Sequence, residues 1–447
     1  MAIDQSVHQL FEQLVPLQAI RWSKVSGVSG NVVEAKGLSA GLGALCSIED
    51  QDGHHPPILA EVVAFDQDTL KLIPYHETIG LSRSSKIRVL SKRVGIHVND
   101  SLLGRVINPL GEPLDGGALL SYHDQQDYVG VKIPPLQRAK VNEPLDVGVR
   151  AINSLLTVAK GQRVGLIAGS GVGKSTLMGM ITKHTEADIV ILGLIGERGR
   201  EANEFIEETL GAEGMAKSIV VLATSDSTAV MRRRGAEVCH ILAEYFRDQG
   251  KNVLLLCDSL TRIAHAQREI GLAIGEPPTN KGYPPSTFNE LPKMMERGGM
   301  GRPGQGSITS IYTVLSEHDA GMDPIVEVAR ATLDGQIMLS RHLADASHYP
   351  AIDLNGSISR IASKIIPQDC LLSANTYRRL WSLYEQNRDI LNVGAYKKGS
   401  NPELDMAIKM RTAMTSFARQ EVDEISFLND SLDELVELMA KAISNEN

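Results

Sequence analysis

A strand, a glycine-rich turn and a helix follow one another between residues 164 and 182, and no other feature of the 447-residue chain restricts its fold as strongly. Val164-Gly165-Leu166-Ile167 reads as a buried strand, Ala168-Gly169-Ser170-Gly171-Val172-Gly173-Lys174-Ser175 as the turn, and Thr176–Thr182 as the helix that the turn opens. Glycines 169, 171 and 173 let backbone N–H groups converge on an anion without Cβ obstruction, and the helix N-terminus faces the same anion. A lysine and a hydroxyl at the end of such a loop suit a nucleotide: Lys174 reaches the β- and γ-phosphates, and the Ser175 hydroxyl ligates Mg²⁺. The nucleotide-binding set therefore runs from Ala168 through Thr176, with ATP·Mg²⁺ as the expected occupant. Ala168 stands where the common pattern has glycine, a tolerated variant.

Two acidic groups complete a candidate site. Leu254-Leu255-Leu256-Cys257 reads as a buried strand that ends on Asp258. Alone, Asp258 would more often cap a helix beginning at Ser259-Leu260-Thr261. Beside a phosphate loop it becomes the second magnesium group. Gly196-Glu197-Arg198-Gly199-Arg200-Glu201 follows the strand Ile189–Leu194, and a carboxylate there lies at the ligand edge of an α/β sheet. Glu197 is the candidate for polarising water; its bland alternative is a solvated charged turn.

The rest of the chain fits this core. Apolar runs at Arg163–Ala168, Ile189–Leu194, Ile219–Ala223, Val253–Cys257 and Ser307–Val314 alternate with helical stretches, which predicts a parallel sheet buried on both faces. With 4% aromatic residues the core must be aliphatic. Ahead of it, short β-rich runs (Asn31–Glu34, Ala44–Ile48, Ile58–Phe65, Thr69–Pro74, Ile87–Leu90) predict a small barrel or sandwich. After it, the stripe Leu432, Leu435, Val436, Met439 and Ile443 predicts a helix, with Ser431 and Glu434 as its capping box. Residues 5–15 show amphipathic helical spacing cut off by Pro16. They are either packed on their own domain or free to dock a partner.

A net charge of −9 argues against a general nucleic-acid binder, and Arg232-Arg233-Arg234 reads as a helix-start cluster. Cys46, Cys239, Cys257 and Cys370 are too dispersed for a zinc site or disulfide framework, which suits a reducing cytosol. No basic leader or long apolar span is present. The Gly-rich stretch Gly298–Gly306 lacks a Lys-Ser/Thr and is expected to be a flexible loop.

The phosphate loop, Gly196–Glu201, Tyr283-Pro284-Pro285-Ser286 and Ser357-Ile358-Ser359-Arg360 together resemble the catalytic subunits of rotary ATPases and their protein-export relatives. Val147–Asn153 and the compact barrel make the chain most similar to flagellar type III export ATPases, with injectisome export ATPases next. The resemblance spans roughly residues 20–440. It implies an α/β RecA-like P-loop core with an N-terminal β-barrel and a C-terminal helical domain. The expected divisions are 1–18 (docking helix), 19–92 (barrel), 93–365 (ATPase domain) and 366–447 (helical domain).

The same resemblance implies catalytic roles for Lys174, Glu197, Arg198 and Arg360. Arg360 is the finger that reaches a neighbouring subunit, and Tyr349 stacks on adenine. It further implies a homo-hexamer, a stator-like regulator bound through the N-terminal helix, export stalk and gate components, and secretion substrates with their chaperones. No specific nucleic acid is expected. The implied location is cytoplasmic, peripheral to an inner-membrane export apparatus. The family often carries paired aspartates where this chain has Glu317-His318-Asp319, a departure from its pattern.

Overall fold

The computed structural model describes residues 21–50, 55–117, 126–128, 132–316 and 323–443. The expected docking helix 1–18 and the loop Glu317-His318-Asp319 lie outside these residues. The chain divides into two compact units, Met1–Val94 and Gly95–Asn447.

Unit 1 is a closed barrel of β1 (Trp22–Ser29), β2 (Val32–Lys36), β3 (Leu45–Glu49), β4 (Ile58–Asp66), β5 (Thr69–Pro74) and β6 (Lys86–Ser91). The strand order β1-β2-β5-β4-β3-β6 returns to β1, so no edge is left to template another strand. Alternate side chains fill the interior: Val33 and Ala35 from β2, Cys46 and Ile48 from β3, Ala60 and Val62 from β4, Leu70 and Leu72 from β5. Strand β1 escapes a reading by periodicity because a bulge between Val25 and Gly27 breaks its alternation.

Unit 2 begins with β7 (Ile96–Val98), β8 (Val106–Ile107) and β9 (Gln126–Tyr128); β7 and β9 pair antiparallel. The main sheet adds β10 (Arg163–Ala168), β11 (Ile189–Ile195), β12 (Ser218–Ala223), β13 (Asn252–Asp258), β14 (Gly299–Met300), β15 (Ser307–Leu315), β16 (Gly335–Leu339) and β17 (Ile352–Ser359). Its order is β17-β16-β10-β15-β13-β11-β12-β8, with β14 beside β15. Every pairing is parallel except those of β14 and β17. All seven residues of β11 are buried, as are Val253–Asp258 of β13, because helices cover both faces. The helices Gln368–Asn392, Pro402–Ala418 and Leu428–Ile443 follow. Tyr377, Trp381, Met414, Leu435 and Met439 join one continuous core with Leu177 and Ile181 of the helix Lys174–His184. Among the described residues no helix is long and apolar enough to cross a membrane.

Two local expectations are corrected. The last helix starts at Leu428, so Ser431 and Glu434 lie inside it instead of capping it. Ser431 is fully buried, with its hydroxyl on the carbonyl of Phe427, and Glu434 reaches Arg150 at 3.0 Å. The stretch 298–306 is not a free loop. Gly299 and Met300 pair with Ile308 and Ser307, and Arg138 donates to the carbonyls of Gly298 and Glu296. The helix Leu260–Ile274 is capped by Ser259, whose side chain accepts from the amide of Arg262, so the cap alternative for Asp258 drops out.

The basic triplet lies in the first turns of the helix Ala229–Asp248. Arg234 is buried and bonds the Gly95 carbonyl and Glu237, while Arg232 pairs with Glu269. Further along this helix Glu244 is buried against Arg297 through two hydrogen bonds of 2.7 and 3.0 Å. Removing one partner of such a pair strands the other charge. Arg297→Leu should therefore cost about 3–5 kcal/mol of stability, read as an earlier midpoint in urea unfolding followed by circular dichroism.

Candidate functional site

The order of the parallel strands assembles the site. Lys174 follows β10, Thr313 sits on β15, Asp258 ends β13 and Glu197 follows β11, and these are consecutive neighbours in the sheet. All four lie toward the carboxyl edge, where α/β sheets hold ligands. The turn between β10 and the helix Lys174–His184 takes positive φ at Gly171 (71°) and Gly173 (87°), values that favour glycine. Ala168 and Val172 are buried supports of the loop, and the amide of Ser316 donates to the Ala168 carbonyl at 3.0 Å. Ser175 and Thr176 are exposed in the first helical turn.

Charge is concentrated behind the loop. The Lys174 Nζ donates to Asp258 Oδ1 at 2.5 Å and Oδ2 at 2.6 Å, and lies 3.7 Å from Glu197 Oε1. These side chains keep only 12%, 6% and 15% of their exposure, so water screens them poorly. Thr313 places its Oγ1 2.5 Å from Asp258 Oδ1 as a further donor. Burial raises the Glu197 pKa, and the Asp258 carboxylate raises it further, against opposing pulls from Lys174 and Arg262.

Other expected site residues arrange themselves differently. Tyr349 is 45% exposed, and its ring lies beside Gly173, where a Cβ would come 3.4 Å from its Cδ1 and Cε1. The amide of Gln420 donates to the Tyr349 carbonyl at 3.0 Å, which ties the ring's backbone to the end of the helix Pro402–Ala418. Arg198 does not join the cluster: its side chain points to solvent and pairs with Glu201 at 3.0 Å. Nor does Arg360. Ser359 is in register with Gly335, and β16 runs parallel to β10 with Gln336 beside Gly165. Arg360 thus stands at the amino edge of the sheet, the edge opposite its own phosphate loop. The five steps from Arg163 to Ala168 separate the two edges by about 16 Å.

Sequence reading missed three contributors. Thr313 is hidden as one of several hydroxyl residues in a buried strand, with nothing in the strand to single it out. Arg262 follows Asp258 by one helical turn and packs against Gly196, a spacing that could have drawn notice. Arg341 donates to the Ser170 carbonyl in the loop itself and carries no local signature.

The donor set also bears on a metal. Among the described residues no group of three or more His, Cys, Asp or Glu could cage an ion. What the site offers is a hydroxyl at Ser175 and the carboxylates of Asp258 and Glu197, hard oxygen donors too few to bind alone. That fits an ion such as Mg²⁺ that keeps waters and arrives on nucleotide phosphates.

Comparison with known proteins gives concordant matches. Residues 148–359 match the nucleotide-binding domain of the ATP synthase alpha/beta family, residues 25–90 its beta-barrel domain, and residues 366–437 the C-terminal domain of the T3SS EscN ATPase. The flagellum-specific ATP synthase of Pseudomonas aeruginosa is 48% identical over 427 residues, 95% of each chain. The type 3 secretion system ATPase of Xanthomonas euvesicatoria is 45% identical over 415 residues, 92% of this chain and 93% of its own. The assembled ATPase EscN of enteropathogenic E. coli, solved with its central stalk EscO, superposes with a TM-score of 0.84 at 40% identity. That match covers 93% of this chain and 99% of the other.

Gly196 is the hinge on which Glu197 leaves β11. Its φ is 76°, and an added Cβ would sit 2.8 Å from the Arg262 Cβ. Gly196→Ala should destabilise the protein by about 1–3 kcal/mol, the cost of a left-handed non-glycine residue plus the clash. Thermal unfolding checks this; an unchanged midpoint would mean that the turn relaxes freely.

Proposed function

The chain belongs to the ATP synthase alpha/beta-type ATPases of type III protein export, the branch of the flagellum-specific and injectisome enzymes, and from that premise we propose that it is the ATP-hydrolysing motor of a flagellar export apparatus, driving release and unfolding of export substrates. The observation that carries the reading is the buried cluster of Lys174, Asp258 and Glu197 behind a phosphate loop. The proposed divisions are a docking segment at 1–18, a barrel at 19–92, the ATPase domain at 93–365 and the helical domain at 366–447.

In the proposed mechanism the amides of residues 169–174 and the helix N-terminus hold the β- and γ-phosphates. Lys174 transfers its ammonium from Asp258 to the phosphate oxygens, which its flexible stem permits. Asp258 is thereby released toward the metal shell, with Thr313 steadying the carboxylate. Ser175 and Asp258 would hold Mg²⁺, which supplies neutralisation of phosphate charge when bound. Glu197 accepts a hydrogen bond from the attacking water, orients it in line with the γ-phosphorus and takes its proton as the P–O bond to ADP breaks. Burial and Asp258 make Glu197 a stronger base than an exposed carboxylate. Tyr349, beside Gly173, stacks on adenine. Arg198, which faces solvent, would act at a subunit interface and not within its own site.

Arg360 lies at the sheet edge opposite its own loop, which supports a role in trans: its guanidinium serves the γ-phosphate of the next subunit in a hexameric ring. The assembled state of EscN with a central stalk supports a stalk partner here as well. Binding of a stator-like regulator rests on the amphipathic spacing of residues 5–15. Contacts with gate components, substrates and chaperones, and a cytoplasmic site at the membrane, follow from the family. The injectisome alternative keeps the same chemistry; neighbouring genes discriminate the two.

Glu197→Gln should bind ATP normally and lose about 10²–10⁴ in kcat. Because the base works deprotonated and its pKa is raised, the ratio of wild-type to variant rate should shrink as pH falls through a midpoint above 4.5, the ordinary carboxyl value. Loss of ATP binding would assign Glu197 a structural role. Arg360→Ala should likewise bind ATP yet lose about 10³–10⁵ in rate. Lys174→Ala should be inactive. Mixing these two variants should restore activity at interfaces that pair an intact loop with an intact finger. Rings shown to be mixed, with nucleotide bound and no recovery, would disprove the trans role.

A further inference from the structure

The strand that delivers Arg360 is irregular. β17 pairs with β16 at Ile352↔Leu339 and Asp353↔Met338, and again at Ile358↔Gln336 and Ser359↔Gly335. Five steps of β17 thus oppose two of β16, and Leu354–Ser357 bulge out of the ladder. The carbonyls of such a bulge lose their strand partners and need other donors. Arg378, on the helix Gln368–Asn392, supplies them. Its Nη2 donates to the carbonyls of Leu354 at 3.0 Å and Ser357 at 2.6 Å, at the two ends of the bulge, and its Nη1 to the carbonyl of Leu155 at 3.4 Å. The Gln336 side chain holds the Gly356 carbonyl between them at 2.7 Å.

The acceptors of the half-buried Arg378 are all main-chain carbonyls, and among the described residues no carboxylate bonds to it. Burial lowers its pKa, a cost that the charge of Asp353 only partly offsets. Packing adds to this hold: Leu354 lies in the core and Ser357 is buried, its Oγ donating to the Asp353 carbonyl and accepting from the Met338 amide at 2.9 Å. A cavity of about 320 Å³ lies beside the residues that follow the bulge, lined by Leu155, Thr157, Ile358, Ser359, Ala374 and Arg378. The bulge is therefore pinned at both ends by hydrogen bonds donated from Arg378, and the residues between it and Arg360 border open space. From Ser357, three residues lead to Arg360, whose amide is fixed on the Asp334 carbonyl at 3.1 Å and whose Nη2 donates to the Arg330 carbonyl at 3.2 Å.

We infer that Arg378 is a positioning residue for Arg360: it clamps the Leu354–Ser357 bulge in the form that presents the finger to the neighbouring subunit, so that the helical region governs hydrolysis next door. The inference rests on the trans role of Arg360. Displacing the finger by about 1 Å is enough to cost on the order of 10² in rate. The clamp bears on no residue of the same subunit's phosphate loop, so ATP binding and KM should not move.

Arg378→Met keeps most of the side-chain volume and removes every donor. It should assemble and bind a fluorescent ATP analogue like the parent, with kcat lower by about 10²-fold and KM unchanged. In mixed rings with Lys174→Ala its activity should partly return, because its intact loop then meets an undisturbed finger. The decisive measurement is a double-mutant cycle. Adding R378M to R360A should slow hydrolysis no further. If R378M slows the R360A background as much as it slows the parent, or if it weakens ATP binding, Arg378 acts elsewhere and the inference fails alone. If R360A hydrolyses like the parent, the finger reading fails and takes this inference with it. Should R378M not fold by circular dichroism and gel filtration, the same cycle with R378K applies. There a shorter set of donors should give a smaller loss that again vanishes in the R360A background.

Discussion

The contact of Lys174 with Asp258, with Glu197 close by, sets the terms for the rest of the α/β unit. Two carboxylates and one ammonium share a site that water screens poorly. Charges at these separations interact far more strongly than in water, and each would be costly to bury alone. They coexist because β10, β15, β13 and β11 run parallel and adjacent, so that their carboxyl ends bring a lysine, a threonine and two acids to one place. The sheet must be covered on both faces to keep that spacing rigid, which explains why its strands are almost continuously apolar. Without bound phosphates the cluster carries one surplus negative charge. A second cation is therefore favoured on electrostatic grounds as soon as the ammonium is drawn onto a nucleotide.

Much of this was legible in the chain because chemistry and periodicity coincide there. Gly-x-Gly-Lys-Ser after an apolar run has few structural alternatives, and runs such as Leu254–Cys257 announce strands buried on both faces. Taken alone, Asp258 reads as a helix cap; the phosphate loop makes it a ligand, and Ser259 takes the capping role. What stayed hidden depends on contacts distant in sequence. Thr313 is one of several hydroxyl residues in its strand and acquires meaning only from β13 alongside. Arg378 stands 18 or more residues from every residue of the finger strand, and nothing near it in the chain hints at its acceptors. The capping box at Ser431 failed for the opposite reason: its local pattern was good, but burial of Ser431 against Ser426 and Phe427 extends the helix one turn earlier.

The polarity of the sheet also separates two groups that the proposed reaction requires together. Lys174 and Glu197 are bound to the carboxyl edge, and Arg360, carried by an antiparallel edge strand, to the amino edge. No side-chain rotation bridges a whole sheet, since an extended arginine spans less than half of the roughly 16 Å between the edges. If the proposed reaction is right, a chain built this way holds a complete loop and a complete finger, yet not a complete catalytic site. The missing complement has to come from a second copy, offered head to tail, because the surface that gives the finger is not the surface that receives it. Such heterologous contacts close only as a ring or run on as a filament. In the proposed hexamer, closure makes every site depend on the conformation of its neighbour. A clamp between the helical region and the finger strand then gives whatever moves the helices in one subunit a direct route to the chemistry of the next.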